Sequence, residues 1–381
     1  MSAAAPHLLV VTTNLHQNAG GVQEHLKALL PRLVERGLRT TAIYLGDPEP
    51  PQLVDGVQVL ALQRHLDVRE VLGVPHPGVW GRIERLVRDG DLLGGPPVTA
   101  IATHTRFFPM SYLGVRLGCR LNIPTLHTEH GGGSVITASA PYRATSLAVD
   151  LTMGRAVLRG ADRVLAVSER SAAFVERLSG VSAHVLNNGV DLASWERPRG
   201  VRAPAGPRAL VFVGRLVPEK GWRTFLDVVE AARGAGHPGT AHVFGAGPDE
   251  EAAQREVTTR GIADVVFHGH ATAAQMAPAL SGAVFVNPTL AAEGFQLTLV
   301  EAAAAGASVA SYAVGGVDEL GHAGCVDLTS VPQGDEAGLT QSVLALLASP
   351  PPEVVHDDLA RWDWDHVADA YLGHVRALRT R

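Results

Sequence analysis

Glu293-Gly294-Phe295-Gln296-Leu297-Thr298-Leu299-Val300-Glu301 is a strand-to-helix turn that carries two carboxylates. Before it, residues 283–286 (Ala-Val-Phe-Val) have the apolar run of a buried strand. After it, residues 297–305 continue as a helix rich in Ala and Leu. Glu293 then lies in the turn and Glu301 about a turn inside the helix. At a rise of roughly 1.5 Å per residue the two acids are staggered by several ångströms, enough for one to meet a hexose and the other a ribose. Between them the helix N-terminus, with Thr298 and Leu299 in its first turn, would present free N–H groups and a positive dipole end to a linking diphosphate. The plainer reading, charges on a solvated helix surface, fits poorly with Glu301 flanked by Leu299, Val300 and the alanines 302–305.

Outward from this turn the second half alternates strands expected at 209–213, 241–244, 265–268, 283–286 and 308–312 with helices at 222–233, 248–260, 273–280 and 297–305. The first half does the same. Strands are expected at 8–11, 40–45, 57–62, 98–103, 125–128 and 163–167. A helix at 22–36 carries Val22, Leu26, Leu29, Leu30 and Leu33 on one face and closes at Gly37, and a second spans 109–121. Such alternation predicts two α/β, Rossmann-like domains with doubly wound parallel sheets. The alternation fails across 194–207, where Pro198, Pro204 and Pro207 accompany Gly200 and Gly206 as in a linker. The expected domains are therefore 1–195 and 196–360, followed by a terminal helical segment, 361–381. Ligands of open α/β sheets bind outside the carboxyl ends of the strands, so two such domains facing each other would enclose a site in the cleft.

The chain has 381 residues, 46% hydrophobic and 18% charged, with a net charge of −6, which offers no basic surface for nucleic acid. No run of 18 or more apolar residues suggests a membrane span. Residues 1–7 lack the basic and apolar regions of a signal peptide, so a cytoplasmic protein is expected, with peripheral membrane contact left open. Cys119 and Cys325 are the two cysteines, far apart and in no metal-like spacing. Of 32 basic residues only Lys27 and Lys220 are lysines, so a lysine can mark a need for a compact point charge.

Gly214-Arg215-Leu216-Val217-Pro218-Glu219-Lys220-Gly221 follows the first strand of the second half. A departing diphosphate must be met by a metal or by fixed cations, and Arg215 and Lys220 could supply the latter. Solvated loop charges are the alternative. Gly20 and Gly21 open the first helix and would let backbone N–H groups approach a phosphate or sugar, or would simply make a tight turn. Gly245 and Gly247 occupy the same strand-then-helix position on the nucleoside side, without the third glycine of a dinucleotide fingerprint. His127-Thr128-Glu129-His130-Gly131-Gly132-Gly133 ends a strand, and its histidines do not have the helical spacing of a zinc pair. His130, adjoining the glycines, is the candidate to hydrogen-bond a sugar, with a structural histidine as the alternative. Asp363-Trp364-Asp365 opens the last helix, where acids are ordinary dipole partners, and no metal site is expected there.

Taken in order, the Gly20-Gly21 loop, Thr128-Glu129-His130-Gly131, Val167-Ser168-Glu169, Asn188-Gly189-Val190-Asp191, the Gly-Arg-Leu-x-x-x-Lys-Gly loop from Gly214 and the Glu293 to Glu301 run resemble the family 4 glycosyltransferases of the GT-B fold. The resemblance covers nearly the whole chain and includes a terminal helix bearing Trp364 that, in that family, crosses back to the first domain. It implies a retaining, metal-independent transferase with no cofactor beyond a nucleoside-diphosphate sugar. The first domain would take the acceptor and the second the donor. Arg215 and Lys220 would bind the diphosphate, Glu301 the ribose, and Glu293 with the backbone of Gly294, Phe295 and Gln296 the donor sugar. His130 matches the family's active-site histidine, and Gly20 and Gly21 its phosphate-side loop. Many members have glycine at the position of Gln296, which leaves the sugar open. The family-consistent mechanism is a front-face displacement assisted by the leaving phosphate. An epimerase or hydrolase of the same architecture is the alternative, distinguished by consuming donor without an acceptor. A binding protein that has lost catalysis is a third reading. The nucleotide, UDP or GDP, and the acceptor, whether saccharide, lipid or small aglycone, are not specified.

Overall fold

The computed structural model describes residues 6–15, 21–68, 72–89, 96–134, 140–195, 206–324, 327–352 and 356–378. The chain forms two compact units, Met1–Gly189 with Trp364–Arg381, and Val190–Asp363. The divisions thus fall after Gly189, ahead of the proline-bearing stretch, and before Trp364.

The strands of the first unit are β1 (His7–Val11), β2 (Arg39–Gly46), β3 (Gln52–Val54), β4 (Val57–Val68), β5 (Leu72–Pro75), β6 (Ala100–His104), β7 (Thr125–Glu129), β8 (Arg163–Ala166) and β9 (His184–Val185). Their order is β3-β4-β2-β1-β6-β7-β8-β9, with β5 also on β4. Every pairing from β2 to β9 is parallel, and β4 pairs antiparallel with both β3 and β5. This antiparallel edge departs from the all-parallel expectation. Its cause is local: Asp55 (φ 48) and Gly56 (φ 76) both turn left-handed, as a two-residue hairpin requires.

Side chains of β1 alternate between two cores. Leu8 and Val10 face the helix Gly21–Glu35 (Leu26, Leu29, Leu33) and the terminal helix Trp364–Arg376 (Val367, Tyr371, Leu372). Leu9 and Val11 face the helices Val79–Arg88 and Pro109–Leu121. The period of two in the strand thus feeds helical stripes on both faces. Each of these leucines is fully buried, worth roughly 1.5–3 kcal/mol. Gly189 allows the terminal helix to seat, since a Cβ there would lie 2.4 Å from the Trp364 ring.

The second unit has β10 (Leu210–Val213), β11 (Ala241–Phe244), β12 (Val265–Gly269), β13 (Val284–Asn287), β14 (Ser308–Tyr312) and β15 (Leu328–Val331), all parallel, in the order β12-β11-β10-β13-β14-β15. The chain builds outward from β10 to β12, then returns to place β13 on its other side. The β10/β13 boundary is therefore the topological switch point, the place at which open α/β sheets bind their ligands. Trp222, Phe225, Leu226 and Val229 of the helix Trp222–Gly234 cover one face together with Leu339 and Val343 of Glu336–Ala348.

Candidate functional site

The loops after β10 and β13 meet at this switch point. Leu290 N–H and Ala291 N–H both donate to the Glu219 carbonyl, at 2.8 and 3.2 Å. Gly221 (φ +75) lies so close to Pro288 that a Cβ would come within 2.1 Å of its carbonyl oxygen. Stapled in this way, the loops bring Lys220 Nζ onto Glu293 Oε1, both side chains being partly exposed. Arg215 is exposed and makes no ion pair among the described residues. Gly245 and Gly247 pack on the same loop: a Cβ would meet the Gly214 carbonyl oxygen at 2.0 Å and that of Leu216 at 2.4 Å.

The segment from Gly294 to Gln296 is buried and packs against Gly315 and Asn287. Phe295 is buried, and a Cβ on Gly316 would touch its ring at 3.4 Å. The Gln296 carboxamide exchanges two 2.8 Å hydrogen bonds with Asn287, whose Nδ2 also donates to Ser311 Oγ. Gln296 N–H donates to Gly315 O at 2.9 Å, and a Cβ on Gly315 would collide with Gly294 O at 1.9 Å. The helix Leu297–Ala304 starts from this locked turn. In its first turn the Thr298 hydroxyl is buried without a hydrogen-bond partner among the described residues. Leu299 is fully buried, and its N–H donates to Gln296 O at 3.2 Å. Glu301 is half-buried, and burial alone pushes its carboxyl up to about 7.

In the first unit His130 follows β7, and His104 ends the neighbouring β6. His104 Nδ1 and His130 Nε2 are 3.1 Å apart, and His25, from the helix Gly21–Glu35, meets the His130 ring edge-on at 4.8 Å between centroids. Burial, then repulsion led by His25, lowers His104 and His130 well below the ordinary value. Burial brings His25 to about 4 against the opposing influence of Asn188. Their ligating nitrogens all lie within 4.8 Å of one another. His127 faces elsewhere, with Nδ1 2.9 Å from Thr103 Oγ1 and Nε2 3.5 Å from Glu129 Oε2.

Beneath His130 lies a buried ion network. Arg106 donates to Glu129 Oε1 at 2.8 Å and to both oxygens of Asp150 at 2.9 and 3.1 Å. Glu129 also accepts from Arg106 N–H (3.0 Å) and Gly131 N–H (2.7 Å), tying the backbone after β6 to that after His130. Asp150 begins a π-helical turn, Asp150–Gly154, a widening that aims its carboxylate at Arg106.

Of the residues singled out from the sequence, Lys220, Glu293, Thr298 and the Gly294 to Gln296 backbone gather at one switch point, with Gly245 and Gly247 on the adjoining loop. Gly21 begins its helix, and Gly20 lies outside the described residues. Asp365 pairs with Arg36 at 3.0 Å while Asp363 bridges to Val190, so the two acids do not act together. His25, His104, Arg106 and Asp150 were not anticipated. A histidine on the apolar stripe between Val22 and Leu29 was a signal for the first, whereas nothing local marks the others.

Solved structures with this architecture include sucrose-phosphate synthase from Thermosynechococcus elongatus (TM-score 0.69, 21% identity, 97% of this chain and 98% of that one). Another is Anabaena HepE in complex with UDP (TM-score 0.67, 16% identity, 98% and 100%). The fold is that of the GT-B glycosyltransferases. Two family models match, Glycosyltransferase Family 4 over residues 19–194 and Glycosyl transferases group 1 over 207–349, and the chain belongs to the family 4 glycosyltransferases. It is 36% identical to a 2-deoxystreptamine N-acetyl-D-glucosaminyltransferase of Streptomyces fradiae, over 49% of this chain and 48% of that protein. Over nearly full length, 94% and 95%, it is 26% identical to a GDP-mannose-dependent alpha-(1-6)-phosphatidylinositol monomannoside mannosyltransferase of Mycolicibacterium smegmatis. No helix among the described residues is long and apolar enough to cross a membrane.

Proposed function

We propose that this glycosyltransferase is retaining and metal-independent, and moves a hexose from a nucleoside-diphosphate sugar to an acceptor hydroxyl. The observation that carries the reading is the Lys220–Glu293 pair at the β10/β13 switch point, beside the first turn of Leu297–Ala304. Lys220 and Arg215 stabilise the departing diphosphate, joined by the Thr298 hydroxyl and the helix N-terminus. Glu301 accepts hydrogen bonds from the ribose, and the Gly245 and Gly247 loop flanks the nucleoside. Gly294, Phe295 and Gln296 hold the sugar by their backbone, and Glu293 and His130 by their side chains. Gly20 and Gly21 serve the phosphate side. The diphosphate departs and the acceptor arrives on one face of the sugar, the route consistent with the family 4 glycosyltransferases. The acceptor is a saccharide, lipid or small aglycone, and the two named relatives give examples of the last two. The protein works in the cytoplasm, with peripheral membrane contact where the acceptor is a lipid. An epimerase or hydrolase is not favoured, since those relatives are named as transferases.

The test is a panel of nucleotide sugars, with and without acceptor extract, run in EDTA, with the anomeric configuration of the product read by NMR. We expect acceptor-dependent turnover, unchanged by chelation, with the donor's configuration kept. Activity that vanishes in EDTA and returns with magnesium or manganese, or an inverted product, would overturn it.

A further inference from the structure

We propose that His25, His104 and His130 form a binding site for a divalent transition-metal ion of the zinc class, as an exchangeable ligand of the first unit. The three residues come from the helix Gly21–Glu35, the end of β6 and the residue after β7, elements anchored in a fully buried core. Their ring centroids stand 4.8 to 5.6 Å apart. One ligating nitrogen from each lies within 4.8 Å of the other two, with His104 Nδ1 and His130 Nε2 at 3.1 Å. Zinc bonds imidazole nitrogen at roughly 2.0–2.1 Å, so two ligands of one tetrahedral ion sit a little over 3 Å apart. The His104–His130 pair already has that separation, and a turn of the His25 ring about its side-chain bonds closes the third position.

Polar accounting points the same way. Neither nitrogen of His25 has a hydrogen-bond partner of regular geometry among the described residues. Asn188 stands beside His25, and its carboxamide oxygen is likewise bare. His104 Nδ1 and His130 Nε2 share a proton across 3.1 Å, and one cation can replace that proton while also engaging the bare His25 ring. The Glu129 carboxylate, whose field reaches His130, supplies negative charge on that side. The donor set selects the metal: all-imidazole ligation suits zinc, copper, nickel and cobalt, and the missing oxygen ligands exclude magnesium and calcium. Three protein ligands leave the fourth position to water. Because His104 Nε2 donates to no carboxylate or carbonyl among the described residues, the outer support that makes a metal resident is lacking there, and the ion exchanges.

Cobalt(II) is the probe, titrated into the intact protein after chelation and followed by its visible d–d absorption. A saturable, one-to-one, four-coordinate band that zinc displaces is expected, with affinity lowered more than about tenfold, about 1.4 kcal/mol, in both His25→Ala and His104→Asn. No band, or unchanged affinity in both variants, overturns the site. Should either variant fail to fold, X-ray absorption of zinc-loaded wild type decides: about three imidazole nitrogens support the site, and fewer than two overturn it. If His130 has the role proposed above, zinc also slows turnover and EDTA restores it. That clause alone rests on the proposed function, so zinc that binds without slowing turnover overturns the role of His130 and leaves the site standing.

Discussion

Glu129, at the end of β7, and Glu301, inside Leu297–Ala304, are both carboxylates withdrawn from bulk water, yet they ionise in opposite directions. Desolvation pushes both upward. For Glu129 this is overcome by the Arg106 guanidinium, then by His127 and the Arg106 amide, and its carboxyl settles at about 2. For Glu301 nothing opposes burial, and it rises to about 7. The first is satisfied by its own fold, through three hydrogen bonds from Arg106 and Gly131. The second accepts none from the described residues. A carboxylate completed by its surroundings holds structure, while one left bare beside a crevice is free to be completed by a ligand, at a standing cost to stability.

The largest effect should come from breaking the completed partner. Glu129→Gln leaves Arg106, fully buried, with only Asp150 to balance it, and removal of one member of a buried ion network typically costs about 3–5 kcal/mol. Urea unfolding at pH 7 should show a loss of that order. The folded value of Glu129 lies below the unfolded one, so its contribution is present above pH 4.5 and is lost as pH falls toward 2. The variant should therefore lack the wild type's stability decline in that acid window. An unchanged urea midpoint would erase the contrast with Glu301.

Glu301→Gln should act with the opposite sign on stability. Its folded value is raised, so the penalty is absent below pH 4.5, grows as pH rises, and is complete above about 7. At about 1.4 kcal/mol per tenfold, the variant should be more stable than wild type at pH 8 by up to a few kcal/mol, and equal to it at pH 4. Nucleoside diphosphate binding should weaken by roughly one to two decades at pH 8, the worth of about 1.5–3 kcal/mol of charge-assisted hydrogen bonding. Wild-type affinity should decline as pH falls below about 7, because the ribose favours the ionised carboxylate, and the variant should show no such slope. Calorimetry across pH 5 to 8 measures both. Equal nucleotide affinity in the two proteins at pH 8 would remove Glu301 from the site.

These two carboxylates also mark how far the sequence could be read. The place of Glu301 on its helix was legible because its determinants are local: a strand, a glycine turn and an alanine-rich helix lie within twenty-odd residues. The helix Pro109–Leu121 was legible for the same reason, with proline in its first turn and Asn122 closing it left-handed. Glu129 stood in view as a letter, but its partners Arg106 and Asp150 reach it only because β6 and β7 are neighbours and a π-helical turn reorients Asp150, which no periodicity records. His25 and His104 join His130 by the same topological route. The antiparallel edge was missed for a different reason. Asp55-Gly56 was a readable hairpin signal, but the twelve-residue β4 reads as one strand while pairing with three others. β15, with its polar Leu-Thr-Ser-Val, had too little apolar contrast to register.

The smallest effect on binding, and the sharpest distinction within the site, should come from Glu293. Unlike Glu301 it is already paired, and unlike Glu129 its partner, Lys220, is proposed to be needed elsewhere. An arriving diphosphate must draw Lys220 away from Glu293 before the lysine can serve it. The pair is about a quarter exposed on each side, 23% and 28%, so breaking it costs little, within the 0–1 kcal/mol of partly solvated ion pairs. Glu293→Gln should therefore leave nucleoside diphosphate affinity unchanged or tighten it by up to about fivefold. Turnover should fall much further, because the proposed partner of the lost carboxylate is the sugar on which charge develops. Lys220→Ala should lower affinity and rate together, since the diphosphate is present in substrate, transition state and product. If Glu293→Gln instead weakened nucleotide binding as strongly as Glu301→Gln, Glu293 would be a nucleotide ligand. The division of labour between the two ends of the turn would then collapse.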